Sequence, residues 1–174
     1  MSSKSQTPNA DLRARLRGIR LLCLDVDGVL TDGHLYWAGP GVFSQRFSVK
    51  DGVGIHLLEK TGVTVAILSA GDVPSGRDRA RSLGLEHALF GLSDKVAAFH
   101  DLLGKLSLTP REAGFMGDEL SDLPLLREVA VSFTVPDAPE EVHDAVDYIT
   151  TRRGGDGAVR EVADLIRACR STAT

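Results

Sequence analysis

The residues best suited to chemistry are carboxylates, and they gather in two short segments. Asp25 and Asp27 stand two apart in Asp25-Val26-Asp27-Gly28, and Asp118, Glu119 and Asp122 occupy Gly117-Asp118-Glu119-Leu120-Ser121-Asp122. Spacing of i, i+2 puts the first pair on one face of a straight strand. Gly28 lets the chain turn directly after it, so the two acids can share a site in different roles. One carboxylate can attack an electrophile while the other donates and removes protons. Four acids at one rim (Asp25, Asp27, Asp118 and Asp122) stay ionised together only around a cation. Oxygen donors without Cys or His select Mg²⁺ over zinc or copper. A hydroxyl at Ser69 and an ammonium at Lys95 suit the remaining oxygens of a phosphoryl group, which the lysine meets as a point charge. The set describes phosphoryl transfer through an aspartyl-phosphate. Each member alone is ordinary: a D-x-D pair is common in loops, Ser69 could merely end a strand, and lysines usually face solvent. Their order along the chain carries the weight.

That order depends on the elements that deliver them. Ile19–Val26 and Val63–Leu68 are almost wholly apolar, as strands buried on both faces should be. His87–Phe90, Ala113–Met116 and Val129–Val135 are further strands. Between them the pattern predicts helices over Asp51–Lys60, Pro74–Leu83, Ser93–Leu103, with Ser93 as N-cap, and around Leu120–Arg127. Glu140–Ala145 and Ala158–Arg170 are helical by the same reading, with Tyr148-Ile149 a stub of extended chain. Five buried strands alternating with helices make an α/β, doubly wound parallel sheet. Ligands of such sheets sit beyond the carboxyl ends of the strands. Asp25–Gly28 follow the first strand, Ser69-Ala70-Gly71 the second and the Asp118 segment the fourth, while Lys95 lies in the helix after the third. All reach one rim.

The chain has 174 residues, 43% of them apolar, and a net charge of −4 from 24 acids and 20 bases. This suits one domain with a substantial core and leaves no length for a second. The balance disfavours nucleic-acid binding; Arg13, Arg15, Arg17 and Arg20 read as a solvated helix face. No apolar run approaches the roughly 18 residues of a membrane span. MSSKSQTPNA lacks the apolar core of a signal peptide and reads as a polar tail, with residues 1–17 a tail or helix lead-in and 171–174 a second tail. Cys23 and Cys169 make no disulfide framework, which fits reduced thiols in the cytoplasm.

Several segments identify a family resemblance. D-V-D-G-V-L-T-D-G at 25–33 resembles the first motif of the haloacid dehalogenase superfamily. F-S-V-K-D-G-V-G at 47–54, R-A-R-S-L-G at 79–84 and G-L-S-D-K at 91–95 resemble its capless 3-deoxy-D-manno-octulosonate 8-phosphate phosphatases. G-D-E-L-S-D-L-P at 117–124 and G-G-D-G-A-V-R-E at 154–161 extend the likeness over residues 18–170. The resemblance implies a Rossmann-like phosphatase of lipopolysaccharide biosynthesis with Asp25 as nucleophile and Asp27 as acid and base. It implies Mg²⁺ held by Asp25, the Asp27 carbonyl and Asp118, with Asp122 in support, and Ser69 and Lys95 on the phosphoryl oxygens. Gly28, Ala70, Lys50 and Arg79 fall on its substrate side. It further implies a homotetramer in which the aromatic hairpin of residues 34–47 meets its neighbours. Two departures from the family stand out: Ser69-Ala70-Gly71 replaces Thr-Gly-Arg, and Glu119 replaces an aspartate.

A signalling receiver would carry its phosphoacceptor after the third strand, where this chain has Gly91-Leu92-Ser93-Asp94. A phosphatase of nine-carbon sugar acids and a weakly catalytic assembly domain both remain compatible with the altered residues. Gly52-Val53-Gly54 lacks the third glycine of a dinucleotide fingerprint, and the five histidines show no metal spacing. Gly154-Gly155-Asp156-Gly157 reads as a flexible approach to the last helix.

Overall fold

The computed structural model describes residues 8–171; the outermost parts of both expected tails, 1–7 and 172–174, lie outside the described residues. Ala10–Gly18 forms helix α1, capped by the Asn9 side chain, which accepts from the Leu12 amide at 2.8 Å. Leu12 and Leu16, one turn apart, are its buried face. Its arginines do more than face solvent. Arg15 donates to the Ala130 carbonyl and pairs with Asp147 at 2.9 Å, and Arg17 donates to the Cys169 carbonyl.

Strand β1, Leu21–Leu24, lies at the centre of the sheet and is buried throughout. The hairpin strands β2 (Tyr36–Gly39) and β3 (Val42–Ser44) form a separate antiparallel ribbon, pinned at its base by the Thr31–Phe47 bridge. Helix α2 (Val49–Glu59) leads to β4 (Thr64–Leu68), α3 (Pro74–Ser82) to β5 (His87–Leu89), and α4 (Lys95–Leu106) to β6 (Ala113–Met116). A 3-10 turn and the short α5 (Leu123–Leu126) precede β7 (Val131–Thr134); α6 (Glu140–Ala145), β8 (Tyr148–Ile149) and α7 (Ala158–Ser171) complete the chain.

Among the described residues the sheet has six strands, not five, in the order β5-β4-β1-β6-β7-β8, with every pairing parallel. The stub at Tyr148-Ile149 is the sixth, paired with Phe133 and Thr134. Two residues suffice because an edge strand pairs on one side only. From β1 the chain winds outward through β4 and β5, then returns to place β6 on the other side of β1. Right-handed crossovers in opposite directions put α2 and α4 on opposite faces. Phe99, Phe115 and Phe133 are the largest side chains buried in the resulting core.

Helices α4 and α2 differ from the sequence reading at their ends. Asp94, not Ser93, caps α4, accepting from the Ala97 amide at 3.0 Å. The helix then runs through Gly104 to Leu106 and stops at Ser107, which takes φ 53°. Gly104 is exposed and costs only its propensity, about 1 kcal/mol, while two further residues of helix let Leu106 pack on the core. Helix α2 starts at Val49 rather than Asp51, with Ser48 as its cap.

Candidate active site

The strand order makes a crevice between β1 and β6, whose last paired residues are Leu24 and Met116. Ladder bonds continue one step further: the Asp25 amide donates to the Met116 carbonyl and the Gly117 amide to that of Phe133. Asp25 and Asp118 therefore leave the sheet at nearly the same level, on opposite sides of the crevice.

Asp25 is buried, with Oδ1 accepting from the Val26 amide at 2.8 Å and Oδ2 lying 3.0 Å from Lys95 Nζ. Lys95, buried in the first turn of α4, also donates to Asp122 Oδ1 at 2.6 Å. The other Asp122 oxygen accepts the amides of Asp118 at 3.1 Å and Glu119 at 3.2 Å. A methyl group at Gly117 would lie 2.5 Å from that oxygen, so glycine is required for the carboxylate to tuck beneath its own loop. Asp122 thus orients the loop as well as the lysine.

Carboxylate oxygens of Asp25, Asp118 and Asp122 all fall within 4.8 Å of one another. Asp118 Oδ1 is buried and has no hydrogen-bond partner. Burial, reinforced by Asp25 and Asp122, pushes the Asp118 carboxyl up to about 8. Burial likewise raises Asp25 to about 6, against the pull of Lys95. Desolvation favours neutral Lys95, but Asp25 and Asp122 overcome it and hold the ammonium above its usual range. One ammonium is insufficient compensation for three acids. An all-oxygen donor set with an unsatisfied buried oxygen fits a hard divalent cation, and Mg²⁺ is such an ion.

The loop after β1 is held from both sides. Gly28 takes φ 79°, and a methyl group there would lie 1.9 Å from Asp118 Oδ2. Buried Thr31 accepts the amides of Gly28 and Gly33 and donates to the Val26 carbonyl. Behind the loop, the 154–157 glycines are packed, not flexible: a Gly154 methyl would lie 1.8 Å from the Gly28 carbonyl oxygen. The Gly155 amide donates to Val29, and Asp51 of α2 accepts the Gly157 and Arg160 amides at the start of α7.

Asp27 is half-buried, and burial raises its pKa despite its hydrogen bond from Gln45. Ser69 is buried at the end of β4, and Ala70 is exposed beside it. Val26, Asp27, Gln45, Ser69, Gly71, Val73, Gly76 and Phe90 line one small cleft. Lys50 and Arg79 are not drawn into the carboxylate cluster. Lys50 is exposed in the first turn of α2, while Arg79 donates to the Ser48 carbonyl at 3.1 Å and lies against Gly52. Arg79 braces the entry to α2, a use its sequence motif does not reveal. Gln45, Ser75 and Thr31 escaped the sequence reading because no local pattern marks them; their partners lie in other elements or in the backbone of the turn.

Comparison with known proteins agrees with this geometry. Residues 91–162 match the model of a haloacid dehalogenase-like hydrolase family. The 3-deoxy-D-manno-octulosonate 8-phosphate phosphatase of Escherichia coli K12 is 42% identical over 158 residues, 91% of this chain and 84% of that protein. The crystal structure of the enzyme of that name from Yersinia pestis superposes with a TM-score of 0.90 at 40% identity, covering 93% of this chain and 88% of that one. A Moraxella catarrhalis counterpart, solved with a magnesium ion, a phosphate ion and a KDO molecule, gives 0.89 at 35% identity, covering 92% of each chain.

Proposed function

Since the chain belongs to the 3-deoxy-D-manno-octulosonate 8-phosphate phosphatase family of the haloacid dehalogenase superfamily, we propose that it is a magnesium-dependent phosphatase of that sugar acid phosphate. The observation that carries the chemistry is the triad of carboxylates within 4.8 Å, one oxygen of which is buried without a partner. Asp25, the Asp27 carbonyl and Asp118 would hold the ion, with Asp122 behind them. Bound there, magnesium supplies charge neutralisation for the acids and for the transferring phosphoryl group.

Asp25 is the nucleophile. Its Oδ2 faces Lys95, whose charge favours the carboxylate and extends to the incoming phosphoryl oxygens. Attack on phosphorus forms the aspartyl-phosphate as the bond to the sugar oxygen breaks. Asp27 gives that oxygen a proton, then accepts one from the water that hydrolyses the intermediate and regenerates Asp25. Burial raises the Asp27 pKa despite Gln45 and Lys95, which favours its protonated form more than in a free aspartate. Ser69 contributes its hydroxyl to the phosphoryl group. Gly28 leaves room for the Asp118 carboxylate, Ala70 for the ligand, and Lys50 meets the ligand's carboxylate. Arg79 acts on the substrate side through Ser48.

Residues 18–170 act as the catalytic unit, with the 34–47 hairpin as an insertion and a tail on either side. Leu35, Trp37 and Phe43 are exposed, Trp37 to 68%, and this supports burial between subunits of a homotetramer. Cys23 and Cys169 are buried and not joined in a disulfide, which supports a cytoplasmic setting; among the described residues no helix is long and apolar enough to cross a membrane. The test is phosphate release from eight- and nine-carbon sugar acid phosphates and from simple sugar phosphates, with and without magnesium. Preference for the eight-carbon substrate is expected; equal rates on all, or none on any, refute the proposal.

A further inference from the structure

We infer that Gln45 and Ser75 are positioning residues that choose which oxygen of Asp27 carries the catalytic proton, and that Gly71 makes the space for that oxygen. The inference rests on the phosphatase reading and deepens it.

Three separate elements meet here. Ser75, in the first turn of α3, donates its hydroxyl to Gln45 Oε1 at 2.8 Å. Gln45, just past β3, donates its amide nitrogen to Asp27 Oδ1. Both ends of the Gln45 amide are thereby occupied, one by the helix and one by the acid. Asp27 Oδ2 lies over Gly71, where a methyl group would come within 2.5 Å of it and 3.5 Å from Ser69 Oγ. Any side chain at position 71 would displace that oxygen.

The chemistry follows from donor count. An amide nitrogen has only protons to offer, so Oδ1 is the acceptor in both protonation states of Asp27. The proton resides on Oδ2, on the same side as Ser69. Proton transfer works only when the proton faces the reacting oxygen within hydrogen-bond reach. In the first half-reaction, the Oδ2 proton passes to the sugar oxygen as its bond to phosphorus breaks and takes the electron pair. In the second, Oδ2 takes a proton from the attacking water, and the bond between phosphorus and Asp25 breaks. A carboxyl group free to rotate would spend part of its time with the proton aimed at the Gln45 side.

Leaving-group dependence tests this. A sugar alkoxide needs a proton to depart, whereas 4-nitrophenolate does not. With magnesium present, Gln45→Met is expected to lower kcat/KM for 3-deoxy-D-manno-octulosonate 8-phosphate by about 10- to 100-fold. The kcat/KM for 4-nitrophenyl phosphate should stay within about twofold, since forming the aspartyl-phosphate from it needs no acid and the shared hydrolysis step does not enter kcat/KM. Ser75→Ala should show the same selectivity with a smaller loss. Gly71→Ala, which leaves the Gln45–Ser75 bond in place, tests the space directly and should be selective too. Equal losses on both substrates, or no loss on either, overturn the inference. Failure of the unaltered enzyme to hydrolyse the sugar phosphate refutes instead the phosphatase reading on which it stands.

Discussion

Asp118 is the most frustrated side chain of the site: buried, beside two other acids, with one oxygen unsatisfied. Its raised pKa has a direct thermodynamic consequence. A carboxyl held above its unfolded value binds its proton more tightly in the folded chain, so folding is favoured at low pH. That advantage disappears as pH climbs from the ordinary carboxylate range through about 6 for Asp25 and about 8 for Asp118. The metal-free protein should therefore melt at a lower temperature at pH 8.5 than at pH 5.5. Carboxylates such as Asp147, held low by Arg15 despite burial, lose their contribution only at still more acid pH. Magnesium should raise Tm more at pH 8.5 than at pH 5.5, because it replaces protons at the same oxygens. A magnesium-induced shift of equal size at both pH values would contradict the proposed ligands. Asp25→Asn keeps the shape and removes the proposed nucleophile. Turnover should fall by roughly 10³-fold or more, with the circular dichroism spectrum unchanged; a variant retaining most of its activity would exclude Asp25 from that role.

At the scale of elements, what the sequence revealed was whatever is encoded locally. Leu21–Leu24 is apolar on both faces and Asp25 follows it directly, so both strand and acid could be read from adjacent letters. Ala113–Met116 and the Asp118 turn were legible for the same reason. Cap choice at α4 was not, since Ser93 and Asp94 are both competent and only the geometry of entry decides between them. Nor was the packing of Gly154, because its neighbour, the Gly28 carbonyl, is supplied by a loop more than a hundred residues earlier. That contact can be tested. Gly154→Ala forces a methyl group into backbone, and denaturant unfolding should show a loss of about 1–3 kcal/mol. Magnesium affinity should weaken with it, since the displaced loop carries Asp25 and Asp27. Unchanged stability would show that the loop yields freely.

For the whole molecule, the proposed homotetramer rests on the exposed hairpin and can be tested there. Replacing Trp37 and Phe43 together by serine removes apolar surface from the tip without touching the crevice. Sedimentation should then show smaller particles than the parent forms, and an unaltered size distribution would remove the hairpin from the interface. A last consequence comes from the central position of β1 between β4 and β6. On the ribosome, β1 is made before either of its neighbours, and β6 follows far downstream. Asp25 then waits without Lys95, Asp118 or Asp122 until most of the polypeptide has been synthesised. The proposed metal site therefore cannot assemble until β6 and the turn after it have been made, so the order of synthesis delays its formation.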